Sequence, residues 1–185
     1  MNANQVRIVG GQWRSRVLRF PPRPGLRPTP DRVRETLFNW LGQDLTGRAC
    51  LDLFAGSGAL GFEAASRGAA RAVLVEQDRA VNAALAHNAR LLGGEALQVV
   101  RSDALQFLAA DAAQYDVVFL DPPFDSPLLG RLLAPLAARL NPGARVYVES
   151  PRSQRYTPPS GWRAVKADTA GAVHYQLLEH ADDEP

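Results

Sequence analysis

From Ala49 onward the chain repeats one pattern: a short apolar run, a break of glycine, acid or proline, then a helical stretch. Candidate strands at 49–54, 71–76, 97–101, 116–120 and 145–149 alternate with helical stretches near 59–67, 79–92, 104–110 and 127–140. Parallel neighbours cannot be joined by tight turns, and right-handed helical crossovers are what connect them. The alternation therefore predicts an α/β fold built on a doubly wound sheet. Segments 162–167 and 173–178 lie on either side of Thr169-Ala170-Gly171 with no helix between them, and read as a terminal β-hairpin. With it the sheet reaches seven strands, most of them parallel.

The first 48 residues do not follow this pattern. Val6-Arg7-Ile8-Val9 and Val17-Leu18-Arg19-Phe20, broken by Gly10-Gly11, predict a small N-terminal hairpin. Residues 21–30 hold five prolines, which rule out a helix or a central strand there. Thr29-Pro30-Asp31 then predicts a helix start, with Thr29 as N-cap, Pro30 first and Asp31 in the first turn. Val33, Leu37, Trp40 and Leu41 form its apolar stripe, and Gly42 ends it. This organisation reads as a basic hairpin arm over 1–28, a main domain over 29–180 and a disordered tail over 181–185.

Charge is unevenly placed. Residues 1–40 carry eight arginines against Asp31 and Glu35, while the remainder holds 13 basic and 17 acidic residues. A basic arm on a mildly acidic body suits a polyanionic partner, and arginine suits phosphate and base stacking. Arg7, Arg14, Arg16, Arg19, Arg23 and Arg27 are interleaved with Trp13 and Phe20. Trp13 also suits a core position. The longest apolar runs are too short to span a bilayer. The single Cys50 lies in an apolar run and reads as a buried thiol, so no disulfide framework forms within the chain; this fits the cytoplasm. None of the histidines, His87, His174 and His180, has a second ligand at useful spacing, so no metal site is expected.

Leu51-Asp52-Leu53-Phe54-Ala55-Gly56-Ser57-Gly58-Ala59-Leu60-Gly61 places G-x-G-x-x-G between a strand and a helix. Such a loop brings backbone N–H groups close to a ligand, and alone it also fits a nicotinamide enzyme. Glu76, 20 residues beyond Gly56, suits two ribose hydroxyls. Asp103, after the third strand, suits an adenine amino group. Asp52 at the mouth of the turn would repel a pyrophosphate and attract a sulfonium or ammonium, which favours S-adenosylmethionine over NAD.

Asp121-Pro122-Pro123-Phe124 closes the strand of residues 116–120. Neither proline can donate to a ladder, so the strand stops in a stiff corner carrying a carboxylate, free carbonyls and an aromatic face. An ordinary strand-ending turn can look the same. In company with the glycine loop, the corner suits a flat base bearing an exocyclic amino group.

LDLFAGSGALGFEAASRGA (51–69), VEQD (75–78), SDA (102–104) and LDPPF (120–124) resemble the successive motifs of the Rossmann-like class I S-adenosylmethionine-dependent methyltransferases. RIVGGQWRSRVL (7–18), PGLRPTPDRVRETLFNWL (24–41) and AGAVHYQLLEH (170–180) resemble more narrowly the guanine-N2 methyltransferases of 16S ribosomal RNA. Pro30, where that family is expected to tolerate a polar residue, departs from the pattern without breaking the helix start.

The resemblance implies an S-adenosylmethionine site of Asp52, Phe54, Ala55, Gly56, Ser57, Gly58, Glu76, Gln77, Asp103, Ala104 and Asp121. It implies a catalytic corner in which Asp121 and the Pro122 carbonyl take the two amino hydrogens, Pro123 stiffens the turn and Phe124 stacks on the base. The RNA-facing residues are expected to be Arg7, Trp13, Arg14, Arg16, Arg19, Arg23, Arg27 and Arg34. The implied partner is 16S rRNA or the assembling small subunit, met by a monomer. An adenine-N6 or cytosine-N4 methyltransferase shares the corner, though this chain lacks room for a large target-recognition insertion. A non-catalytic RNA-binding protein of the same fold and a nicotinamide dehydrogenase are the remaining readings, disfavoured by the acidic set and by the corner respectively.

Overall fold

Each apolar run from Ala49 onward becomes a strand whose C-terminal end delivers a turn to one edge of a sheet. The computed structural model describes residues 4–124 and 126–181. In chain order the elements are β1 (Gln5–Arg7), β2 (Val17–Arg19), α1 (Asp31–Trp40), β3 (Ala49–Asp52), α2 (Ala59–Ser66), β4 (Arg71–Val75), α3 (Arg79–Leu92), β5 (Leu97–Val100), α4 (Ala104–Ala110), β6 (Tyr115–Leu120), α5 (Leu128–Ala137), β7 (Leu140–Pro151), β8 (Trp162–Ala170) and β9 (Val173–His180). The main sheet has seven strands in the order β5-β4-β3-β6-β7-β9-β8. Its first five are parallel, and β9 runs antiparallel to both β7 and β8. This is the doubly wound α/β sheet with terminal hairpin that the alternation predicts.

The chain starts in the middle at β3, winds outward through β4 and β5, then returns to β6 on the other side of β3. Strand order therefore reverses between β3 and β6, and open α/β sheets bind ligands at the C-terminal ends of the strands beside such a switch. The glycine loop follows β3, Glu76 follows β4, Asp103 follows β5 and the proline corner follows β6. All four motifs thus meet at one edge.

The N-terminal hairpin lies on the body. Val6, Ile8, Trp13, Leu18 and Phe20 are buried in the same cluster as Phe62 and Leu85. Gln12 N–H donates to Ser66 O at 2.8 Å, and Val9 N–H donates to the buried Glu63 carboxylate at 3.0 Å. Gly10-Gly11, read from sequence as a break, is where the hairpin backbone meets α2. A Cβ at Gly11, whose φ is +74°, would lie 1.9 Å from Ser66 O.

Helix α1 begins one residue later than expected, with Pro30 at the N-cap and no side-chain cap. The Thr29 side chain turns instead toward Glu149 on β7 (3.5 Å), and its carbonyl accepts from Arg34 Nε at 3.1 Å. The buried face of α1 is Val33, Arg34, Leu37 and Phe38, with Trp40 and Leu41 packed at its margin. Phe38, Phe119, Tyr147, Tyr175 and Trp40 make a chain of ring contacts with centroids 5.4–6.4 Å apart. Pairs of this kind add about 0.5–1.5 kcal/mol each beyond burial. They seat α1 on β6, β7 and β9, and so hold the connector before α1 over the sheet edge.

Helix α5 is shorter than expected and β7 longer, because the chain leaves α5 at Ala137 and enters the sheet by Leu140. Of the tail read as disordered, Ala181 N–H donates to Gly161 O at 2.7 Å, and residues 182–185 lie outside the described residues. No helix among the described residues is long and apolar enough to cross a membrane.

Candidate functional site

A cleft of about 360 Å³ opens at the switch point. Its floor is the glycine loop from Asp52 to Ser57, and its sides carry Glu76, Gln77, Asp78, Ser102, Asp103, Ala104, Asp121 and Pro123. Of the residues predicted to hold the cofactor, Gly58 alone is not on this surface. Its φ of +83° starts α2, and a Cβ there would lie 2.4 Å from the Phe62 ring. Gly58 shapes the turn from behind while its neighbours face the ligand.

The acids differ in what they have left to offer. Glu76 accepts the Gly56 N–H (3.1 Å) with Oε2 and the Asp78 N–H (2.8 Å) with Oε1, which locks the loop to the end of β4. Asp103 caps α4 through Oδ1, which takes the N–H groups of Leu105 (2.9 Å) and Gln106 (3.1 Å). Its Oδ2 makes no hydrogen bond among the described residues, so it can take an exocyclic amino hydrogen. Asp52 is 3% exposed and accepts from Gly61 N–H (3.1 Å) and more loosely from Phe54 N–H (3.4 Å). Burial nevertheless raises its carboxyl from 3.8 to about 7, against those two hydrogen bonds.

Asp121 follows the same logic. Burial, then the neighbouring Glu149 and Asp52 carboxyls, push it well above the usual carboxylate range. Register explains the crowding: Asp52 pairs with Phe119, Phe119 with Tyr147, and Leu120 with Val148. Alternation then puts Asp121 and Glu149 side by side on the face that carries Asp52. Carboxyls crowded in this way, with no ion pair among the described residues, are costly unless protonated or visited by a cation. This edge of the sheet suits a positively charged ligand and repels a pyrophosphate.

The connector supplies the roof. Arg23, Pro24, Gly25, Leu26, Arg27 and Thr29 line the cleft, Leu26 lies against Gly56, and Arg23 Nε pairs with Asp78 Oδ2 at 3.0 Å. Arg23 and Arg27, expected on an RNA-facing arm, thus stand at the cleft mouth. The fit to S-adenosylmethionine is good: free Asp103 Oδ2 for the adenine amino group, Glu76 lone pairs for the ribose, and the Asp52–Asp121 region for the sulfonium.

Beyond the corner lies a second cleft of about 220 Å³, walled by Pro122, Pro123, Phe124, the start of α5, Glu149 and the segment from Gln154 to Thr157. Pro123 lines both clefts, so the corner is the partition between them. The Pro123 carbonyl accepts from Ser126 N–H at 3.1 Å, while the Pro122 carbonyl has no partner among the described residues. Phe124 is 45% exposed, which leaves a face of the ring for stacking.

Two expected RNA contacts are corrected. Arg34 is fully buried: its guanidinium meets Glu63 Oε2 at 3.0 Å, Asp31 Oδ1 and Thr29 O. Glu63 also binds Arg67 (3.0 Å), so the group ties α1, α2 and the hairpin together. Removing one partner of a buried pair typically costs about 3–5 kcal/mol, which makes Arg34 part of the scaffold. Trp13 is 9% exposed and sits in the core, too enclosed to stack on RNA bases. Arg7, Arg14, Arg16 and Arg19 are exposed. His87 is exposed, His174 is buried and His180 packs edge-on to Trp162 at 5.0 Å. Cys50 is buried, its thiol pushed up to about 12.

Sequence reasoning missed Glu149, Thr29 and the 154–157 wall. The one available signal was Glu149 itself, an acid directly after the apolar run Val146-Tyr147-Val148, the same placement as Glu76 and Asp121.

The family described as Conserved hypothetical protein 95 matches residues 6–179. The ribosomal RNA small subunit methyltransferase D of Escherichia coli (strain K12) is 47% identical over 180 residues, covering 96% of this chain and 91% of that protein. The solved structure of the Escherichia coli protein yhhF superposes with a TM-score of 0.83 at 48% identity, covering 95% of this chain and 98% of that one. A 16S rRNA N2 methyltransferase of Thermus thermophilus (RsmC), solved with AdoMet and guanosine, superposes with a TM-score of 0.73 at 26% identity over 94% of this chain and 48% of its own. The chain therefore belongs to the family described as Conserved hypothetical protein 95, the family of the ribosomal RNA small subunit methyltransferases D.

Proposed function

We propose that this chain methylates the exocyclic N2 amino group of a guanine in 16S rRNA during small-subunit maturation. By the resemblance of its N-terminal stretch, the target lies in the loop of helix 31. The coarser activity, S-adenosylmethionine-dependent methylation of ribosomal RNA, is that of its relatives. The observation that carries the finer reading is the partition: one stiff corner, Asp121 to Phe124, separates a nucleoside-sized acidic cleft from a second cleft with an exposed ring at its rim.

S-adenosylmethionine supplies the methyl group on a cationic sulfur. The residues supply position. Asp121 and the Pro122 carbonyl accept the two amino hydrogens and turn the nitrogen lone pair toward the first cleft. They also stabilise the positive charge that develops on that nitrogen. Phe124 stacks on the base and sets its plane. Asp121, crowded by Glu149 and Asp52, has a high proton affinity and is suited to receive the proton released after transfer. Arg155 at the second cleft offers a phosphate contact beside the base, and the exposed Arg7, Arg14, Arg16 and Arg19 offer others further along the RNA.

Transfer of labelled methyl groups to unmodified small subunits and to protein-free 16S RNA, with the modified nucleoside identified, tests the reading. N2-methylguanosine at a single position is the expected product. Label on adenine N6 or cytosine N4, or none in either substrate, would overturn it.

A further inference from the structure

The second cleft contains a carboxylate for which the mechanism so far has no use. Glu149 is 5% exposed and lines that cleft together with Phe124 and the corner prolines. Both of its hydrogen bonds fall on one oxygen: Tyr147 O–H donates to Oε1 at 2.8 Å and Thr29 O–H at 3.5 Å. Oε2 makes none among the described residues. Two hydroxyls thus fix the side chain, and the other oxygen is left to the cleft. Register places it beside Asp121, since Leu120 and Val148 are paired and these acids are the next residues on β6 and β7.

Two acceptors set side by side, one already assigned to an amino group, impose a test on the base. Guanine carries a ring N1–H next to its N2 amino group, so both positions donate. In adenine and cytosine the ring nitrogen adjoining the target amino group is an acceptor, and a carboxylate oxygen there would face a lone pair. An acceptor offers nothing to a second acceptor, and a buried polar group left unpaired is strongly disfavoured. The geometry points to Glu149 as the residue that selects guanine, by accepting N1–H while Asp121 and the Pro122 carbonyl hold the amino group. This rests on the guanine-N2 reading and adds the residue that enforces it. Thr29 contributes by ordering Glu149, which gives the buried end of the connector a role in base choice.

The test replaces the target guanine in 16S RNA with 2-aminopurine, which keeps the amino group but has an N1 acceptor. It compares wild type with Glu149→Gln, which keeps the shape and an acceptor for Tyr147 while offering an amide N–H to the cleft. Wild type should prefer guanine by about 10-fold or more in kcat/KM, the scale of one well-placed polar contact. Glu149→Gln should lower turnover of guanine and narrow the guanine to 2-aminopurine ratio by a similar factor, with unchanged cofactor affinity. Equal use of the two bases by wild type, or an unchanged ratio in a folded Glu149→Gln, overturns the role of Glu149 and leaves the guanine reading standing. Methylation of adenine or cytosine by wild type overturns both. Equal use of the two bases by wild type overturns the role of Glu149 whether or not the variant folds.

Discussion

The two clefts flanking the proline corner are made in different ways. The floor and sides of the first come from loops that each follow one strand, with the connector of residues 23–29 as its roof, so its acids sit within recognisable local motifs: Asp52 in the glycine loop, Glu76 after β4, Asp103 capping α4. The second joins pieces distant in the chain, among them the corner, the start of α5, Glu149 and residues 154–157. On the proposed assignment, cofactor binding rests mainly on an edge of the sheet, whereas target binding needs the edge, a helix start and a loop to arrive together. The first can serve many substrates.

Asp121 belongs to the partition, so its loss should affect transfer without emptying either cleft. Asp121→Ala should lower kcat by about 10²-fold or more, the scale of removing one preorganised polar contact, and weaken cofactor binding by less than that. Single-turnover rates beside calorimetric binding check this. Near-normal turnover would mean that the corner divides the clefts without taking part in chemistry.

A smaller effect should follow from a residue of the second cleft alone. Phe124→Ala should raise KM for RNA by roughly 5- to 150-fold, the equivalent of about 1–3 kcal/mol of base stacking, and leave cofactor binding intact. Loss of cofactor affinity instead would show that the clefts are not independent.

The remaining expected effect belongs to the first cleft and is one of pH. Asp52 rises from 3.8 to about 7 in the folded chain, so between those values the folded protein holds more protons than the unfolded one. Stability of the ligand-free protein then falls as pH rises through that window. Asp52→Asn should make the fall shallower, by up to about 1.4 kcal/mol per pH unit. A cationic ligand favours ionised Asp52, so wild type should release protons on binding below about pH 7 and bind more tightly as pH rises, the ordinary linkage result. Calorimetry in two buffers of different ionisation enthalpy should show less proton release in Asp52→Asn. Equal release by both proteins would assign the titration to Asp121 and Glu149.

The N-terminal segment shows where reading residues in order runs out. Eight arginines near one end read as a single surface, yet Arg34 is fully enclosed with Glu63, and Arg23 and Arg27 roof the cofactor cleft. Charge is visible in a sequence, but burial is set by what packs against it. Glu63 lies in an apolar helical stretch with nothing nearby to mark it as the partner of an arginine 29 residues earlier. The same holds for Trp13, whose place was decided by contact with the far end of α3, where a Cβ at Gly94 would lie 2.8 Å from its ring.

What the sequence determined by itself was therefore everything local and periodic. Alternating apolar runs specify the α/β layers, glycines with positive φ specify the loop before α2, and two prolines specify where β6 must stop. Those are consequences of backbone sterics and hydrogen bonding, which act within a few residues. Tertiary structure alone decided which arginines meet solvent, that the connector covers the cofactor cleft, and that Glu149 stands beside Asp121. Register across the sheet places residues 28 positions apart shoulder to shoulder, and no spacing rule along the chain encodes that neighbour.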